Sequence, residues 1–299
     1  MGPFTRILCP IDFSDASQHA LEHAVAVAQW YDAAIIGLHV SNPTYAAVGA
    51  LDLPQDGGTM FASPATSVRL QLQMADAMVA AKVAGVPVET CIEEGSPAGR
   101  ILGGVADHRA DLIVMGTHGA SGFERLMLGS ITEKVVRKAG CPVLTVPPRA
   151  HATSRLPFRR MLCPIDFSPA SAAALARALS MAQEAEAELL LLHVLEWPIG
   201  HEPVLPTFNV AEYHIYRERE AAAELEKMVP PSVHDWCTPT AHLVHGKPYE
   251  QVLALAGDRG VDLIVIGVHG RSALDVTLFG STTNQVIRGA RCPVLTIRQ

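Results

Sequence analysis

The chain repeats one sequence pattern twice. The segment ILCPIDFSDAS, from Ile7 to Ser17, returns as MLCPIDFSPAS, from Met161 to Ser171, at an offset of 154 residues. Further along, DLIVMGTHG from Asp111 returns as DLIVIGVHG from Asp262, at an offset of 151 residues. Similarity at a nearly constant spacing indicates one structural unit built twice. The copies therefore differ in length in one stretch, between the second predicted strand and a Gly-Xaa-Pro turn.

The length permits a separate core for each copy. The 299 residues are enough for about two domains of ordinary size. Hydrophobic residues make up 49% of the chain and charged residues 18%, as in folded globular proteins. We predict a first domain at 1–147, a linker rich in proline and polar residues at 148–158, and a second domain at 159–299.

Short apolar runs alternate with helical patterns in each copy, which is typical of βαβ units and a parallel sheet. Ser14 is expected to cap the first helix, and Pro97 and Pro248 to stand in the first turn of a later helix. Two longer stretches, 41–65 and 195–208, are rich in proline and glycine, and loops of that length are often functional. In the first copy we predict strands near 5–12, 34–40, 87–93, 111–116 and 141–146, and helices near 15–31, 66–84, 97–108 and 129–139.

The composition argues against several classes of function. No apolar run approaches the roughly 20 residues of a membrane helix, and the amino-terminal residues do not resemble an export signal. We therefore expect a cytoplasmic protein without a membrane partner. A net charge of −7 without a Lys/Arg cluster argues against nucleic acid as a partner. Because no CxxC motif is present, we expect four cysteines in apolar segments to be buried free thiols: Cys9, Cys141, Cys163 and Cys292.

A glycine frame follows the fourth predicted strand of each copy: GTHGASGFERLMLGS, from Gly116 to Ser130, and GVHGRSALDVTLFGS, from Gly267 to Ser281. Glycines at a strand end let backbone N–H groups come close to a ligand. A Gly-Ser pair then opens the next helix, where free N–H groups and the helix dipole favour an anion. A single such pair is more often a simple helix cap, and shared descent alone preserves spacing. The frame has nevertheless kept its spacing while the residues inside it have changed, which favours a functional role.

An aspartate ends the first predicted strand of each copy, at Asp12 and Asp166. A lone aspartate at this place is usually a turn residue. In an open doubly wound sheet, however, ligands bind beyond the carboxyl ends of the strands, where the strand order reverses. If the first and fourth strands flank that point, one crevice receives the aspartate from one side and the glycine frame from the other.

Four motifs together resemble the universal stress protein family in its tandem two-domain form: the G-x-x-G-x9-G-[S/T] frame after DLIVMG, the opening CPIDFS, the HV that ends the second strand, and the final CPVLTV. The resemblance covers both halves of the chain. It implies two tandem α/β domains, each a doubly wound, Rossmann-like sheet of five parallel strands in the order 3-2-1-4-5. That order places the reversal between the first and fourth strands. The resemblance also implies pairing of the two terminal strands, which joins the halves into a pseudo-dimer, while association into a homodimer stays open.

The resemblance also implies a ligand. In ATP-binding members of the family, the strand-one aspartate lies by the ribose or phosphates, adenine packs near the residues before it, and the glycine frame holds ribose and phosphates. Carried over to this chain, this implies ATP, with ADP or AMP as alternatives. The implied binding residues are Pro10, Ile11, Asp12, Val40, Met115, Gly116, Gly119, Gly129, Ser130 and Ile131 in the first copy, and Pro164, Ile165, Asp166, Val194, Ile266, Gly267, Gly270, Gly280, Ser281 and Thr282 in the second.

The two copies depart from each other within the frame. Members of the family often carry a basic residue just after the second glycine, where the second copy has Arg271 and the first has Ala120, with Arg125 later in its loop. We therefore expect the two sites to differ in affinity. His118 and His269 hold matching positions without a second ligand at metal spacing, which favours hydrogen bonding within the loop over metal binding.

The sequence carries no recognised catalytic motif. A GxxxxGK[S/T] loop is missing, and so are HExxH and GxSxG. Mg²⁺ held by Asp12 or Asp166 against the phosphates permits slow hydrolysis at most. The sequence thus favours an ATP-binding stress-response regulator, non-catalytic or weakly hydrolytic, in which nucleotide shifts conformation or partner affinity. Two alternatives stay open: an interaction module with vestigial pockets that binds a protein or apolar ligand through its long loops, and a true nucleotide-dependent enzyme.

Overall fold

The computed structural model describes residues 2–41, 64–119, 128–148, 150, 158–196, 210–237, 239–268 and 280–298. The described residues up to 148 form one compact unit, and those from 158 onward form another. The predicted linker 148–158 and the predicted loops 41–65 and 195–208 lie largely outside the described residues. The domain boundaries therefore stay predictions.

The first unit alternates strands and helices along the chain. Its elements are β1 Arg6–Pro10, α1 Asp15–Tyr31, β2 Ala34–Ser41, α2 Pro64–Ala77, α3 Val79–Val83, β3 Val88–Glu94, α4 Pro97–Asp107, β4 Leu112–Gly116, α5 Ser130–Lys138 and β5 Val143–Val146. The predicted strands and helices are confirmed to within about three residues at each end. The helix predicted at 66–84 is wrong as a single element, because it divides into α2 and α3 at Met78, where the backbone has φ −85° and ψ 0°. The N–H of Met78 still donates to the carbonyl oxygen of Met74 at 3.1 Å.

The second unit repeats the alternation. Its elements are β6 Arg160–Pro164, α6 Pro169–Ala185, β7 Glu188–Leu195, α7 Val210–Met228, a 3-10 turn Pro231–Asp235, β8 Thr240–His245, α8 Pro248–Asp258, β9 Leu263–Gly267, α9 Ser281–Gly289 and β10 Val294–Ile297. The short 3-10 turn before β8 stands where the first unit has the coil after α3.

All strand pairs within each unit are parallel. In the first unit the strands lie in the order β3-β2-β1-β4-β5. In the second they lie in the equivalent order β8-β7-β6-β9-β10. The predicted order 3-2-1-4-5 is confirmed, so the strand order reverses between β1 and β4 and between β6 and β9. These are the points where a doubly wound sheet binds ligands.

The central strands are apolar along their length because helices cover both faces of such a sheet. The LIVMG of β4 and the LIVIG of β9 are buried at every position. In β1, Ile7, Leu8 and Cys9 have no exposed surface. An apolar residue buried to this degree contributes about 1.5–3 kcal/mol to folding. This rigid centre fixes the carboxyl ends of the strands.

The predicted helix starts are confirmed. The Ser14 hydroxyl accepts a hydrogen bond from the N–H of Ser17 and caps α1. The Ser168 hydroxyl does the same for α6. Pro97 and Pro248 lie in the first turn of α4 and α8, where the missing proline N–H leaves no hydrogen bond unmade.

All six cysteines lie within the described residues and all are free thiols. Cys9, Cys163 and Cys292 are buried, as predicted. Cys141 is half-buried, so its predicted full burial is wrong: it stands in the turn before β5 rather than inside the strand. None of the helices within the described part of the chain is long and apolar enough to cross a membrane.

Candidate functional site

The stretch between the end of β1 and Asp12 is fixed by the neighbouring strand β2. The N–H of Ile11 donates to the carbonyl oxygen of Leu38 at 2.8 Å. The carbonyl oxygen of Ile11 lies 2.7 Å from Nδ1 of His39, which must therefore carry the proton in this contact. Ile165 and His193 make the same contact at 2.7 Å in the second unit. The backbone N–H and carbonyl groups of Ile11 and Ile165 are thus both hydrogen-bonded.

A phenylalanine with unusual backbone geometry follows each aspartate. Phe13 has a φ of 64° and Phe167 a φ of 63°. Positive φ is rare for a bulky residue and requires support from its surroundings. The support is an aromatic contact: the Phe13 ring lies 4.6 Å from His39, and the Phe167 ring 4.4 Å from His193. This sharp turn takes the chain from the strand end directly into the next helix.

The carboxylate of Asp12 is oriented by that turn. Its Oδ1 accepts hydrogen bonds from the N–H and the hydroxyl of Ser14, at 3.1 and 2.5 Å. Its Oδ2 lies next to Gly119, because a β-carbon added to Gly119 would stand 2.7 Å from this oxygen. In the second unit, Oδ1 of Asp166 accepts from the N–H of Ser168 at 3.0 Å. The aspartate and the glycine frame of the first unit therefore meet across the point of strand reversal.

The first glycine of each frame is needed for packing. A β-carbon on Gly116 would stand 3.0 Å from the carbonyl oxygen of Ala16, in the first turn of α1. On Gly267 it would stand 2.8 Å from the carbonyl carbon of Ala170, in the first turn of α6. Both contacts are with backbone, which cannot swing away. These glycines let the end of the fourth strand approach the helix that follows the first strand.

Two hydrogen bonds tie the start of α5 to the end of β4. The N–H of Gly129 donates to the carbonyl oxygen of Thr117 at 2.9 Å. The hydroxyl of Thr132 donates to the carbonyl oxygen of Gly116 at 2.9 Å. The second unit repeats both bonds: Gly280 to Val268 at 3.1 Å, and the Thr283 hydroxyl to Gly267 at 2.8 Å. Each helix start is therefore anchored to the strand end beside the aspartate.

The starts of α5 and α9 have no side-chain cap. Their N-cap residues are Gly129 and Gly280, and neither position carries a capping side-chain hydrogen bond. The first N–H groups of a helix have no partner within the helix and carry the positive end of its dipole. Ser130 and Ser281, the first helical residues, are exposed. These helix starts offer N–H donors and a hydroxyl to a ligand. At α1 and α6, by contrast, a serine hydroxyl at the N-cap already accepts from a helix N–H group.

The two helix starts differ in charge. The first turn of α5 contains Glu133, while that of α9 contains no acidic residue and has Asn284 at the matching place. A carboxylate in the first turn partly satisfies the helix dipole and repels an anion. Oδ1 of Asn284 is buried without a hydrogen-bond partner in the described structure. An anion at the start of α9 would therefore meet no carboxylate in the first turn of that helix, whereas at α5 it would meet Glu133.

His118 makes the kind of contact that the sequence favoured. Its Nδ1 lies 2.9 Å from the hydroxyl of the neighbouring Thr117. Its Nε2 is buried with no partner among the described residues. No group of metal-binding side chains that includes His118 occurs in the described ranges.

Several residues predicted for the first site lie near one another. Asp12 lies next to Gly119, Ile11 and Met115 are buried on adjacent strand ends, and Ile131 is 39% exposed in the first turn of α5. Pro10 and Val40 are half-buried at the ends of β1 and β2, as are Pro164 and Val194 in the second unit. Ile165 and Ile266 are buried, and Thr282 is half-buried on the first turn of α9. Five further positions lie outside the described residues: Gly270, Ala120, Arg125, His269 and Arg271.

Three residue types at the site were not singled out from the sequence. They are the phenylalanine with positive φ, the histidine that holds the strand-one carbonyl, and the threonine that anchors the helix start. A signal was present, because each occurs at the matching place in both copies: Phe13 and Phe167, His39 and His193, Thr132 and Thr283.

Known proteins resemble this chain over both halves. A universal stress protein of Methanocaldococcus jannaschii is 36% identical over 143 residues, which cover 48% of this chain and 82% of that protein. A universal stress protein of Mycolicibacterium smegmatis is 29% identical over 302 residues, covering 98% of this chain and 96% of that protein. The crystal structure of a universal stress protein from Archaeoglobus fulgidus shares the fold, with 23% identity and a TM-score of 0.68 over 98% of this chain and 96% of that one.

The family model covers almost the whole chain in two matches. The model of the universal stress protein family matches residues 3–147 and again residues 157–298. These ranges coincide with the two repeats of sequence and with the two compact units. The chain therefore belongs to the universal stress protein family, as a tandem of two copies of the family's domain.

Proposed function

We infer that each unit binds an adenine nucleotide, with ATP as the first candidate, and that the protein regulates a stress response through nucleotide-dependent changes of conformation or partner affinity. The observation that carries this proposal is the meeting of two features at one point. The carboxylate of Asp12 lies next to Gly119, and the uncapped start of α5 is anchored to the same strand end.

The two features suit different parts of a nucleotide. A carboxylate accepts hydrogen bonds and matches the hydroxyl groups of a ribose. A helix start with free N–H groups and an exposed serine hydroxyl matches a phosphate. Both are fixed to neighbouring strands, so a single ligand can reach both. ADP and AMP offer the same ribose and a shorter phosphate chain, and they remain alternatives to ATP.

The proposal assigns no catalytic residue. Phosphoryl transfer needs cations that neutralise the charge developing on the transferred group. Mg²⁺ fits the oxygen of Asp12 or Asp166 together with the phosphates, since carboxylate oxygens are ligands that Mg²⁺ prefers. Such an ion supports slow hydrolysis at most. We further propose a cytoplasmic location and pairing of the two units through their terminal strands, both from the family resemblance.

Native mass spectrometry of the freshly purified protein tests the proposal, together with extraction of bound nucleotide and titration with ATP, ADP, AMP and cAMP. The test variant is Asp12→Asn/Asp166→Asn. Asparagine keeps an acceptor oxygen for the turn at Ser14 but removes the negative charge. We expect up to two nucleotides per chain in the wild type and weaker binding in the variant.

A matched control is Asp32→Asn. Asp32 is an exposed residue with a φ of 54° at the opposite end of α1, a conformation that asparagine adopts readily. This change removes the same charge without touching the crevice, so nucleotide binding should stay unchanged. The proposal fails if the wild type carries no nucleotide and takes up none when ATP is added.

One observation favours the alternative of an interaction module. The helices that follow the two long loops carry exposed apolar side chains: Val68 and Leu72 on α2, and Tyr213, Ile215 and Tyr216 on α7. Apolar side chains at such positions suit contact with a protein or an apolar ligand. This alternative gains if Asp12→Asn/Asp166→Asn changes nothing in cells while deletion of 41–65 abolishes activity.

A further inference from the structure

A second group of ligand-type side chains lies in the first unit, away from the crevice. Cys91 and Glu93 stand two residues apart on β3, so they project from the same face of the strand. His108 caps the carboxyl end of α4. All three side chains are half-buried, and one ligand atom of each lies within 4.8 Å of the ligand atoms of the other two. The neighbouring strand β2 separates β3 from β1 and from Asp12.

One carboxylate oxygen of Glu93 lies near the thiol of Cys91. Sγ of Cys91 lies 3.7 Å from Oε1 of Glu93. The other carboxylate oxygen, Oε2, lies 3.6 Å from Nε of Arg100, which donates to the carbonyl oxygen of Glu94. Oε1 of Glu93 can therefore coordinate a metal ion while Oε2 stays paired with Arg100. The arginine would hold the carboxylate in place, as partners of metal ligands commonly do.

The chemistry of the three donors is selective. A cysteine sulfur, a histidine nitrogen and a single carboxylate oxygen are the ligand types of zinc, whereas Mg²⁺ and Ca²⁺ require sets of oxygens. Donor atoms around one tetrahedral zinc lie about 3.3–3.6 Å apart, given bond lengths of about 2.0–2.3 Å. The thiol and the carboxylate are already at about that spacing. The other separations are at most 4.8 Å, so binding zinc requires them to shorten by no more than about 1.5 Å.

The group belongs to the first unit alone. At the matching places the second unit has His242, Val244 and Arg259. Valine has no ligand atom, and the arginine brings a positive charge where a cation would have to sit. The two units keep the features of the crevice in common, yet they differ here. A metal site at this place would therefore belong to the first unit and not be a feature of the repeated domain.

We propose that Cys91, Glu93 and His108 form a zinc site that joins the edge strand β3 to the end of α4, with the fourth position of the metal open to water or another ligand. Three protein ligands with an open position are the arrangement of zinc sites that exchange a ligand. The site is independent of nucleotide binding at Asp12. Its metal would also stabilise the first unit, since any ligand that binds only the folded state does so.

The test uses the full chain, freed of metal with a chelator and then dialysed against buffer that contains zinc. Elemental analysis gives the number of zinc ions per chain. Co²⁺ replaces zinc in a parallel titration, because an absorption band from thiolate to cobalt appears only when a cysteine is a ligand. We expect one zinc per chain, a thiolate–cobalt band that zinc abolishes, and no comparable effect of Mg²⁺.

The variants are Cys91→Ser and His108→Asn, each expected to weaken zinc binding by more than about tenfold. The controls are Cys237→Ser, another half-buried free cysteine, and His242→Asn, at the place in the second unit that matches Cys91. Both controls should bind zinc as the wild type does. Melting curves without metal establish that each variant is folded.

Two results would overturn the proposal. One is a wild type that binds no more zinc than Cys91→Ser/His108→Asn. The other is a loss of binding in Cys237→Ser as large as that in Cys91→Ser, which would place the zinc elsewhere in the chain.

Discussion

Asp12 and Gly119 meet so closely that the glycine cannot gain a side chain without displacing the aspartate. A β-carbon on Gly119 would stand 2.7 Å from Oδ2 of Asp12, closer than real carbon and oxygen atoms approach. The other oxygen of Asp12 is held by Ser14. The aspartate and the loop glycine are therefore two sides of one narrow space, although 106 residues separate them in the sequence.

This contact predicts an energetic coupling between the two residues. Gly119→Ala should lower the free energy of unfolding of the first unit, because the new methyl group collides with the carboxylate. In Gly119→Ala/Asp12→Ala the collision is removed, and the double change should cost less than the sum of the single changes, by about 0.5–3 kcal/mol. Urea denaturation of the four proteins measures the coupling.

Gly99→Ala is the control for this cycle. Gly99 lies in α4, where a β-carbon would make only an ordinary contact of 3.7 Å with Ser96. Alanine should be neutral there or stabilise the helix by about 0.5–1 kcal/mol. Strict additivity of Gly119→Ala and Asp12→Ala would contradict the close approach.

The exposed serines at the starts of α5 and α9 should contribute to nucleotide affinity but not to the stability of the fold. Ser130→Ala/Ser281→Ala should lower the affinity for ATP about tenfold, because a hydrogen bond to a charged group is lost. The melting temperature without nucleotide should barely change. Calorimetric titration with ATP gives the affinity.

Ser96→Ala provides the comparison. Ser96 is an exposed serine at the N-cap of α4 and makes no capping side-chain hydrogen bond, so its loss should leave ATP affinity intact. Equal affinities for ATP in the wild type and in Ser130→Ala/Ser281→Ala would show that these hydroxyls do not contact the nucleotide.

The charge difference between the helix starts predicts unequal sites. Glu133 stands in the first turn of α5, and Asn284 takes its place in α9. Glu133→Asn makes the first unit like the second and should raise its affinity for a nucleotide about two- to fivefold, since a charge at a helix end is worth about 0.3–1 kcal/mol. The gain should shrink at high salt.

The control for this change is Glu89→Gln. Glu89 is an exposed acid on β3, paired with Arg6 at 3.0 Å, and it lies away from the helix start. If Glu89→Gln raises the affinity as much as Glu133→Asn does, the effect comes from net charge and not from the helix end.

The buried thiols predict a loss of stability at high pH. Burial raises the pKa of Cys9 from 9.0 to about 12 and raises the pKa of Cys163 strongly as well. Folding therefore keeps both thiols neutral where the unfolded chain would ionise them. Their contribution to stability is complete below about pH 9 and is lost progressively as the pH rises toward the folded pKa.

Cys9→Ala/Cys163→Ala should accordingly flatten the decline of the free energy of unfolding between pH 9 and 11, by at most about 3 kcal/mol per pH unit. Denaturant unfolding at a series of pH values measures the slope. Cys237→Ala, at a half-buried thiol, should flatten it less. An unchanged slope in the double variant would mean that these thiols ionise in the folded protein.

Much of the fold could be predicted from the sequence because the pattern of this sheet is local. Strands such as LIVMG are apolar throughout, since they are buried on both faces, and the turns between them carry Gly, Pro and Ser. The interruption at Met78 could not be predicted, because nothing in the neighbouring residues breaks a helix. Met78 has no exposed surface, and its side chain lies against Gly37 of β2, a contact with the sheet that the local sequence does not reveal.

The site was predicted less completely, for a physical reason. Gly116 was interpreted as a glycine that lets a ligand approach, whereas a β-carbon there would stand 3.0 Å from the carbonyl oxygen of Ala16. A sequence shows that a position needs glycine but not which neighbour requires it. The positive φ of Phe13 was equally hidden, since it depends on the ring of His39, which belongs to the next strand.

The hydroxyls of Thr132 and Thr283 have a consequence for the strength of any ligand complex. Association is weakened when the protein must first become ordered around its ligand. Here folding has already joined the helix start to the strand end, through the bonds to Gly116 and Gly267. The N–H donors at the helix start are therefore already in position before an anion binds. Little of the binding free energy is then spent on ordering the protein.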